Sequence, residues 1–257
     1  MALLNLRHVK KHFFTQEHVV EAIREISFQV EKGEFVSIIG PSGCGKTTVL
    51  SMIAGLTSPS SGQIELSGSS VTEPSAEIGY MLQQDYLFPW LTIGKNMTIG
   101  LDVTKMKTVE NKEYALDLLE QMGLLDRVDD MPHELSGGMR QRVALVRTLA
   151  TKPSLLLLDE PFSALDFQTK LKLEDLIHDT LKAQKKTTVL VTHDIGEAIA
   201  MSDRVVLLGH RPSFVQEIFT IPDELRELKP LQARNHPTYQ TWFQRIWKEL
   251  ESLESTS

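Results

Sequence analysis

The sequence predicts an α/β fold with a mostly parallel sheet, an antiparallel β-rich part before it and a helical segment inserted into it. Three observations predict this. From Leu155 onward, short apolar runs alternate with helical patterns, the mark of parallel strands covered by helices. Near the start, residues 25–30 alternate apolar and polar, as a half-buried strand does. Between Thr92 and Leu149 the apolar residues recur at helical spacing instead.

The elements follow in order. Residues 31–34, Glu-Lys-Gly-Glu, read as a turn, and 35–39 as a buried strand. Residues 40–45 form a glycine-rich loop, and 46–55 a helix. Residues 62–66 and 78–82 read as short strands. Ala115, Leu118, Leu119 and Met122 share one helical face, and Gly123 stands where that helix should stop. A helix over 139–149 opens on Ser136-Gly137-Gly138. Then come a strand at 155–158, a helix at 171–181, a strand at 188–191, a helix at 195–201 and a strand at 204–208. The proline-marked stretch 211–237 reads as a linker. The last segment places Tyr239, Trp242, Phe243, Ile246, Trp247 and Leu250 on one helical face, with Pro237 suited to its first turn. That face is expected to pack on the protein's own core. The organisation is therefore 1–91, a β-subdomain and the first part of the core; 92–149, the helical subdomain; 150–210, the second part of the core; and 211–257, an extension ending in an aromatic helix.

Bulk properties exclude several classes. The 257 residues are 41% hydrophobic and 24% charged, as in ordinary globular chains. A net charge of −7 argues against a nucleic-acid partner. The single cysteine, Cys44, cannot form an intrachain disulfide, which favours a reducing compartment. The start of the chain lacks the basic and apolar regions of a signal peptide. No apolar run approaches a membrane span, so any link to a membrane must come through a partner.

Two motifs carry chemistry. Gly40-Pro41-Ser42-Gly43-Cys44-Gly45-Lys46-Thr47-Thr48 matches G-x-x-x-x-G-K-[ST] between a strand and a helix. Its backbone N–H groups and the helix N-terminus form an anion cradle. Lys46 is expected to reach the β- and γ-phosphates of a nucleotide, and the Thr47 hydroxyl to ligate Mg²⁺. Asp159 and Glu160 close the 155–158 strand. Asp159 is assigned to the metal and Glu160 to the attacking water, which it would orient and deprotonate. The alternative is that both carboxylates merely cap the strand. Cys44 lies inside the loop, where backbone dipoles and Lys46 should lower its pKa. Its alkylation is then expected to block activity, with bound nucleotide protecting it.

The octet Leu135-Ser136-Gly137-Gly138-Met139-Arg140-Gln141-Arg142 is more specific still. At background composition it arises in on the order of one in 100,000 chains of this size. Ser136-Gly137-Gly138 opens a helix, so it makes a second anion-binding N-terminus.

With these motifs the chain resembles the ATP-binding subunit of an ATP-binding cassette (ABC) transporter over about residues 3–210. The resemblance implies a P-loop NTPase (RecA-like) core, with ATP and Mg²⁺ as cofactors and ATP hydrolysis as the activity. The glycine loop corresponds to Walker A, the strand closing on Asp159-Glu160 to Walker B and the octet to the signature. By resemblance, Gln83 is the Q-loop glutamine that senses Mg²⁺ and the attacking water. Ser163-Ala164-Leu165-Asp166 is the D-loop. His193, in Thr192-His193-Asp194, contacts the γ-phosphate, and Phe13 stacks on adenine. The other seven histidines read as solvated or capping.

The family pattern further implies a homodimer in which Ser136-Gly137-Gly138 caps ATP held by the partner chain. It implies permease subunits, an indirect solute-binding protein and a place at the cytoplasmic face of the membrane. Tyr86-Leu87-Phe88-Pro89-Trp90 reads as a docking surface for a permease helix or as a buried hinge. Pro89-Trp90-Leu91-Thr92 and the aromatic tail resemble importers of nitrate, sulfonate, taurine and thiamine precursors. A soluble ABC ATPase and a separate-chain exporter are the competing readings. The stretch from Gln83 to Ser136 lacks sustained heptads, and one cassette is present, which weakens the soluble alternative. Val146, Thr148, Gly196 and Ser213 depart from common family residues. Gly196 in a helix interior is expected to loosen the region after His193.

Overall fold

The computed structural model describes residues 2–14, 18–163 and 165–254. Ala2–Phe14 (β1) and Val19–Glu31 (β2) pair as a long antiparallel ribbon. Phe35–Ile39 (β3) is wholly buried and leads into Lys46–Ile53 (α1). Ser61–Leu66 (β4), Ser69–Ser70 (β5) and Ile78–Met81 (β6) follow. The helical segment holds Ile93–Val103 (α2), Val109–Gln121 (α3) and Gly137–Leu149 (α4), with 3₁₀ turns at Leu125–Arg127 and Pro132–Glu134. The core resumes with Leu155–Asp159 (β7), Phe167–Ala183 (α5), Thr187–Val191 (β8), Ile195–Met201 (α6) and Arg204–Leu208 (β9). Ser213–Thr220 (β10), Asp223–Arg226 (α7), Pro230–Arg234 (α8) and Pro237–Glu254 (α9) complete the chain.

Among the described residues the strands form one sheet of ten, in the order β5-β4-β1-β2-β10-β9-β3-β8-β7-β6. The β9-β3-β8-β7-β6 portion is parallel throughout. Its strands are covered on both faces, which is why they read as nearly continuous apolar runs. The four leucines of β7 would favour a helix in isolation; burial between neighbouring strands overrides that preference.

Helix starts follow side-chain caps. Thr92, Thr108, Ser136 and Asp166 each accept a hydrogen bond from the backbone N–H three residues on. Each such cap contributes about 1 kcal/mol. The chain turns after α3 at Gly123, whose φ of +66° matches the expected stop. Ile246 of α9 is fully buried beside Ile199, Phe219 and Leu225, so the aromatic helix packs on its own core as expected. Among the described residues no helix is long and apolar enough to cross a membrane.

Two expectations need correction. The stretch 211–237 is no linker: it holds β10, α7 and α8, and β10 joins β9 to β2. Prolines mark the ends of these short elements, which hid them in the sequence. His178 is not solvated either; it is buried against the sheet end.

Candidate functional site

The parallel strands β3, β7 and β8 deliver their C-terminal ends to one place. After β3 the chain curls through Gly40–Gly45, and α1 begins at Lys46. The residue capping α1, Gly45, has φ +105°, a conformation costly for any residue with a β-carbon. Lys46 is buried, and its Nζ donates to the carbonyls of Gly40 (2.8 Å) and Pro41 (3.0 Å). The ammonium is thus held at the mouth of the loop on weak acceptors that an anion can replace. A cavity of about 700 Å³ opens here, lined by the loop, Thr47, Thr48, Glu160, His193 and Leu250.

Asp159 ends β7 and is buried. Its Oδ1 lies 3.4 Å from the Thr47 hydroxyl, and its Oδ2 accepts from the Tyr80 hydroxyl at 3.2 Å. Burial pushes its carboxyl up, while bonds from Tyr80 and Thr47 pull it back. A hydroxyl and a carboxylate converging on one point form a hard-oxygen set suited to Mg²⁺.

Glu160 has φ +46°, rare for a side chain this large. Its N–H donates to the Val191 carbonyl at 2.8 Å, which fixes the turn. The carboxylate then meets two groups from other segments: Oε2 lies 3.1 Å from His193 Nδ1 and 3.3 Å from Gln83 Nε2. Gln83, Glu160 and His193, widely separated in sequence, are therefore brought together. His193 follows β8, and the next helix is capped by Asp194, which accepts from the N–H groups of Gly196 (2.6 Å) and Glu197 (3.2 Å). Lys170 Nζ reaches both Asp194 and Glu197 at 2.5 Å.

A second cavity of about 710 Å³ shares Glu160 and His193 as a wall and is bounded beyond them by Gln83, Gly137, Arg140 and Gln141. The Ser136 hydroxyl accepts from Met139 N at 3.3 Å, so it caps α4. Gly137 belongs to this second cavity alone. α4 also grips the segment after β6. Gln141 Nε2 donates to the Gln83 carbonyl (3.1 Å), Arg140 pairs with Asp85 (3.0 Å), and Arg147 donates to the carbonyls of Asp85 (2.6 Å) and Tyr86 (2.8 Å).

Some expectations stand apart from this cluster. Phe13 lies near the tip of the β1–β2 ribbon, beneath the Lys11 ammonium at 5.0 Å, and outside the loop cavity's lining. Ala164 of the Ser163–Asp166 stretch lies outside the described residues. Cys44 is corrected: it is 1% exposed, and burial raises its thiol pKa more than Lys46 lowers it. The loop turns its backbone to the cavity and its Cys44 side chain inward. Sequence reasoning missed Tyr80, Asp85, Arg147, Lys170 and Leu250, since each acts through long-range contact and belongs to no short motif.

Comparison with known proteins now places the arrangement. The sequence profile of the ABC transporter family matches residues 23–163, more than half of the chain. A Bacillus subtilis (strain 168) protein named as an uncharacterized ABC transporter ATP-binding protein, YtlC, is 56% identical over 99% of this chain and 98% of its own length. The aliphatic sulfonates import ATP-binding protein SsuB of Bacillus anthracis is 39% identical over 84% of each chain. The dimeric post-hydrolysis state of the ATP-binding cassette MJ0796, bound to ADP and Pi, superposes with a TM-score of 0.74 at 30% identity, covering 85% of this chain and 99% of that one. Profile, relatives and fold agree, and the chain belongs to the ABC transporter family as an ATP-binding cassette ATPase.

Proposed function

We propose that this cassette energises an importer of a small solute, with an aliphatic sulfonate, taurine or nitrate as the class of cargo. The observation that carries the catalytic reading is the convergence of Glu160, His193 and Gln83 beside Asp159 and Thr47. The loop amides and Lys46 bind the β- and γ-phosphates of ATP; Lys46 exchanges the Gly40 and Pro41 carbonyls for phosphate oxygens. Thr47, Asp159 and Gln83 would hold Mg²⁺, which when bound neutralises charge on those phosphates. Glu160 orients the attacking water and takes its proton. His193 and Gln83 hold the Glu160 carboxylate in place from two sides. Phe13 is the adenine-stacking residue in this reading.

Ser136-Gly137-Gly138 would serve the nucleotide of a second copy packed head to tail. The placement of Gly137 away from the loop cavity of its own chain supports this. So does the similarity to dimeric cassette structures. The importer reading is supported by the sulfonate-import relatives. Tyr86 and Trp90 stand 58% and 69% exposed on the segment that α4 grips, which suits docking to a permease helix at the cytoplasmic face of the membrane.

Glu160→Gln is the test of mechanism. ATP binding should persist, hydrolysis should fall at least 100-fold, and light scattering should detect an ATP-dependent dimer. Normal hydrolysis by this variant would overturn the assignment of the base. Ser136→Arg should leave ATP binding by the monomer within two-fold while hydrolysis collapses. For cargo, loss of labelled taurine, alkanesulfonate or nitrate uptake in a strain lacking this gene supports import, and unchanged uptake of all three refutes that cargo class.

A further inference from the structure

At the end of the sheet opposite the phosphate loop lies a cavity of about 560 Å³. It is walled by the N-terminal end of β3, the C-terminal ends of α5 and α6, and residues of α7. Its size suits a drug-sized small molecule. Phe35, Leu181 and Met201 give it an apolar floor, and all three are otherwise buried. His178 adds a ring edge. That side chain is buried, its Nδ1 has no hydrogen-bond partner among the described residues, and Asp179 Oδ1 is 3.5 Å away.

The rim is cationic in a chain whose net charge is −7. Lys32, Lys182, Lys185, Lys186 and Arg226 surround the opening, against Asp203 and Glu227; Arg226 already pairs with Asp223, and Lys186 donates to the Pro153 carbonyl at 2.9 Å. Asp203 already accepts from the Phe35 N–H at 2.7 Å. Among the described residues the polar contacts of Lys182 are long, 3.4 Å to the Arg226 carbonyl and 3.5 Å to Glu227, and the latter is highly exposed. Lys32 and Lys185 are in no ion pair among the described residues. Cations crowded over an apolar floor, with too few acids to answer them, complement a molecule with an apolar body and one anionic head. The floor argues against a free phosphate, which would gain nothing from Phe35, Leu181 and Met201.

We infer that this cavity is a binding site for a small amphipathic anion, a carboxylate or sulfonate carrying an apolar body, separate from the nucleotide site. The apolar body lies on Phe35, Leu181 and Met201, and the head group meets Lys182, Lys185 and Lys32. Met201 and Ser202 end α6, the helix that begins beside His193, so the occupant sits at one end of an element whose other end borders the nucleotide. The inference is independent of the cargo and of the direction of transport.

The probe is 8-anilinonaphthalene-1-sulfonate, titrated into the full chain with saturating Mg-ADP to occupy the nucleotide site. Its neutral analogue N-phenyl-1-naphthylamine has the same apolar body without the anion. The site predicts one fluorescent sulfonate per chain, bound at least ten-fold more tightly than the neutral amine. Lys182→Glu/Lys185→Glu, which changes two exposed side chains, should weaken sulfonate binding at least ten-fold and leave ADP binding and the thermal midpoint unchanged. Equal affinity for the two probes would overturn the proposal, and so would sulfonate binding that survives the double charge reversal. If that variant loses its fold, Lys32→Glu serves in its place, with at least a three-fold loss expected and no change refuting the site.

Discussion

The hydroxyl of Tyr239 lies over Gly196: a β-carbon at position 196 would come within 2.8 Å of it and within 2.9 Å of Asp194 Oδ1. Read alone, Gly196 predicts a loosened helix; in the fold it is the space into which α9 packs on α6. Gly196→Ala should therefore destabilise by about 1–3 kcal/mol through overpacking, not stabilise as a helix glycine replacement often does. In a Tyr239→Phe background the same substitution should cost less, with a remainder from Asp194. Thermal denaturation of the four proteins measures this coupling, and additive losses would refute it.

Arg234 and Glu174 form an ion pair next to that contact. Glu174 is fully buried, and the Arg234 guanidinium engages both of its oxygens, one at 3.1 Å. Burial pushes the Glu174 carboxyl up to about 7 against the pull of the guanidinium. Arg234→Met removes that pull, so the carboxyl rises further. A raised carboxyl pKa means that folding favours the protonated form. Stability is retained below the unfolded value of about 4.3 and lost as pH climbs through the folded one. The variant should lose about 3–5 kcal/mol at pH 8 and clearly less at pH 5.5, read from denaturant midpoints.

Cys44 should resist alkylation in the folded protein. Its side chain is buried and its thiol pKa is raised, so thiolate is scarce at neutral pH. Mass spectrometry after iodoacetamide treatment should show slow labelling of native protein and rapid labelling in denaturant. Rapid native labelling that ATP suppresses would restore the expectation drawn from the motif.

Arg147 should act on hydrolysis without touching nucleotide. Its two bonds hold the carbonyls of Asp85 and Tyr86, and Gln83 begins that segment. Arg147→Met should lower kcat about ten-fold, a loss of about 1.4 kcal/mol of transition-state stabilisation, with ATP affinity within two-fold. Arg147→Lys should rescue only in part, since a lysine lacks the forked donors that reach both carbonyls. Full activity in Arg147→Met would show that the segment holds itself.

Much of this was legible in the chain. β3 and α6 fall on the residues read for them, because buried parallel strands and capped helices have local signatures. The Lys46 loop and the Asp159-Glu160 pair were legible for the same reason: each is a contiguous motif. What the sequence hid was long-range. The contact between Tyr239 and Gly196 joins positions with no shared motif, as do the bonds from Arg147 to the segment after Gln83. Cys44 shows the opposite error. The motif located it correctly, but a motif does not say which way a side chain turns, and burial outweighed the charge beside it. β10 was hidden because Pro212 and Pro222 bracket it and one of its two pairing partners, β2, is remote in sequence.

That strand has a consequence for how the protein is made. Among the described residues the β1–β2 ribbon joins the parallel sheet through β10 alone, by pairs at Ser213–Ile23 and Phe214–Glu25. A ribosome finishes the ribbon early, yet its docking partner emerges only after β9. Until then the outer edge of β2 and the edge of β9 are both unpaired, the kind of surface that recruits a wrong strand. Vectorial folding here cannot close the sheet strand by strand in chain order; the arrival of β10 decides when the nascent cassette becomes one body.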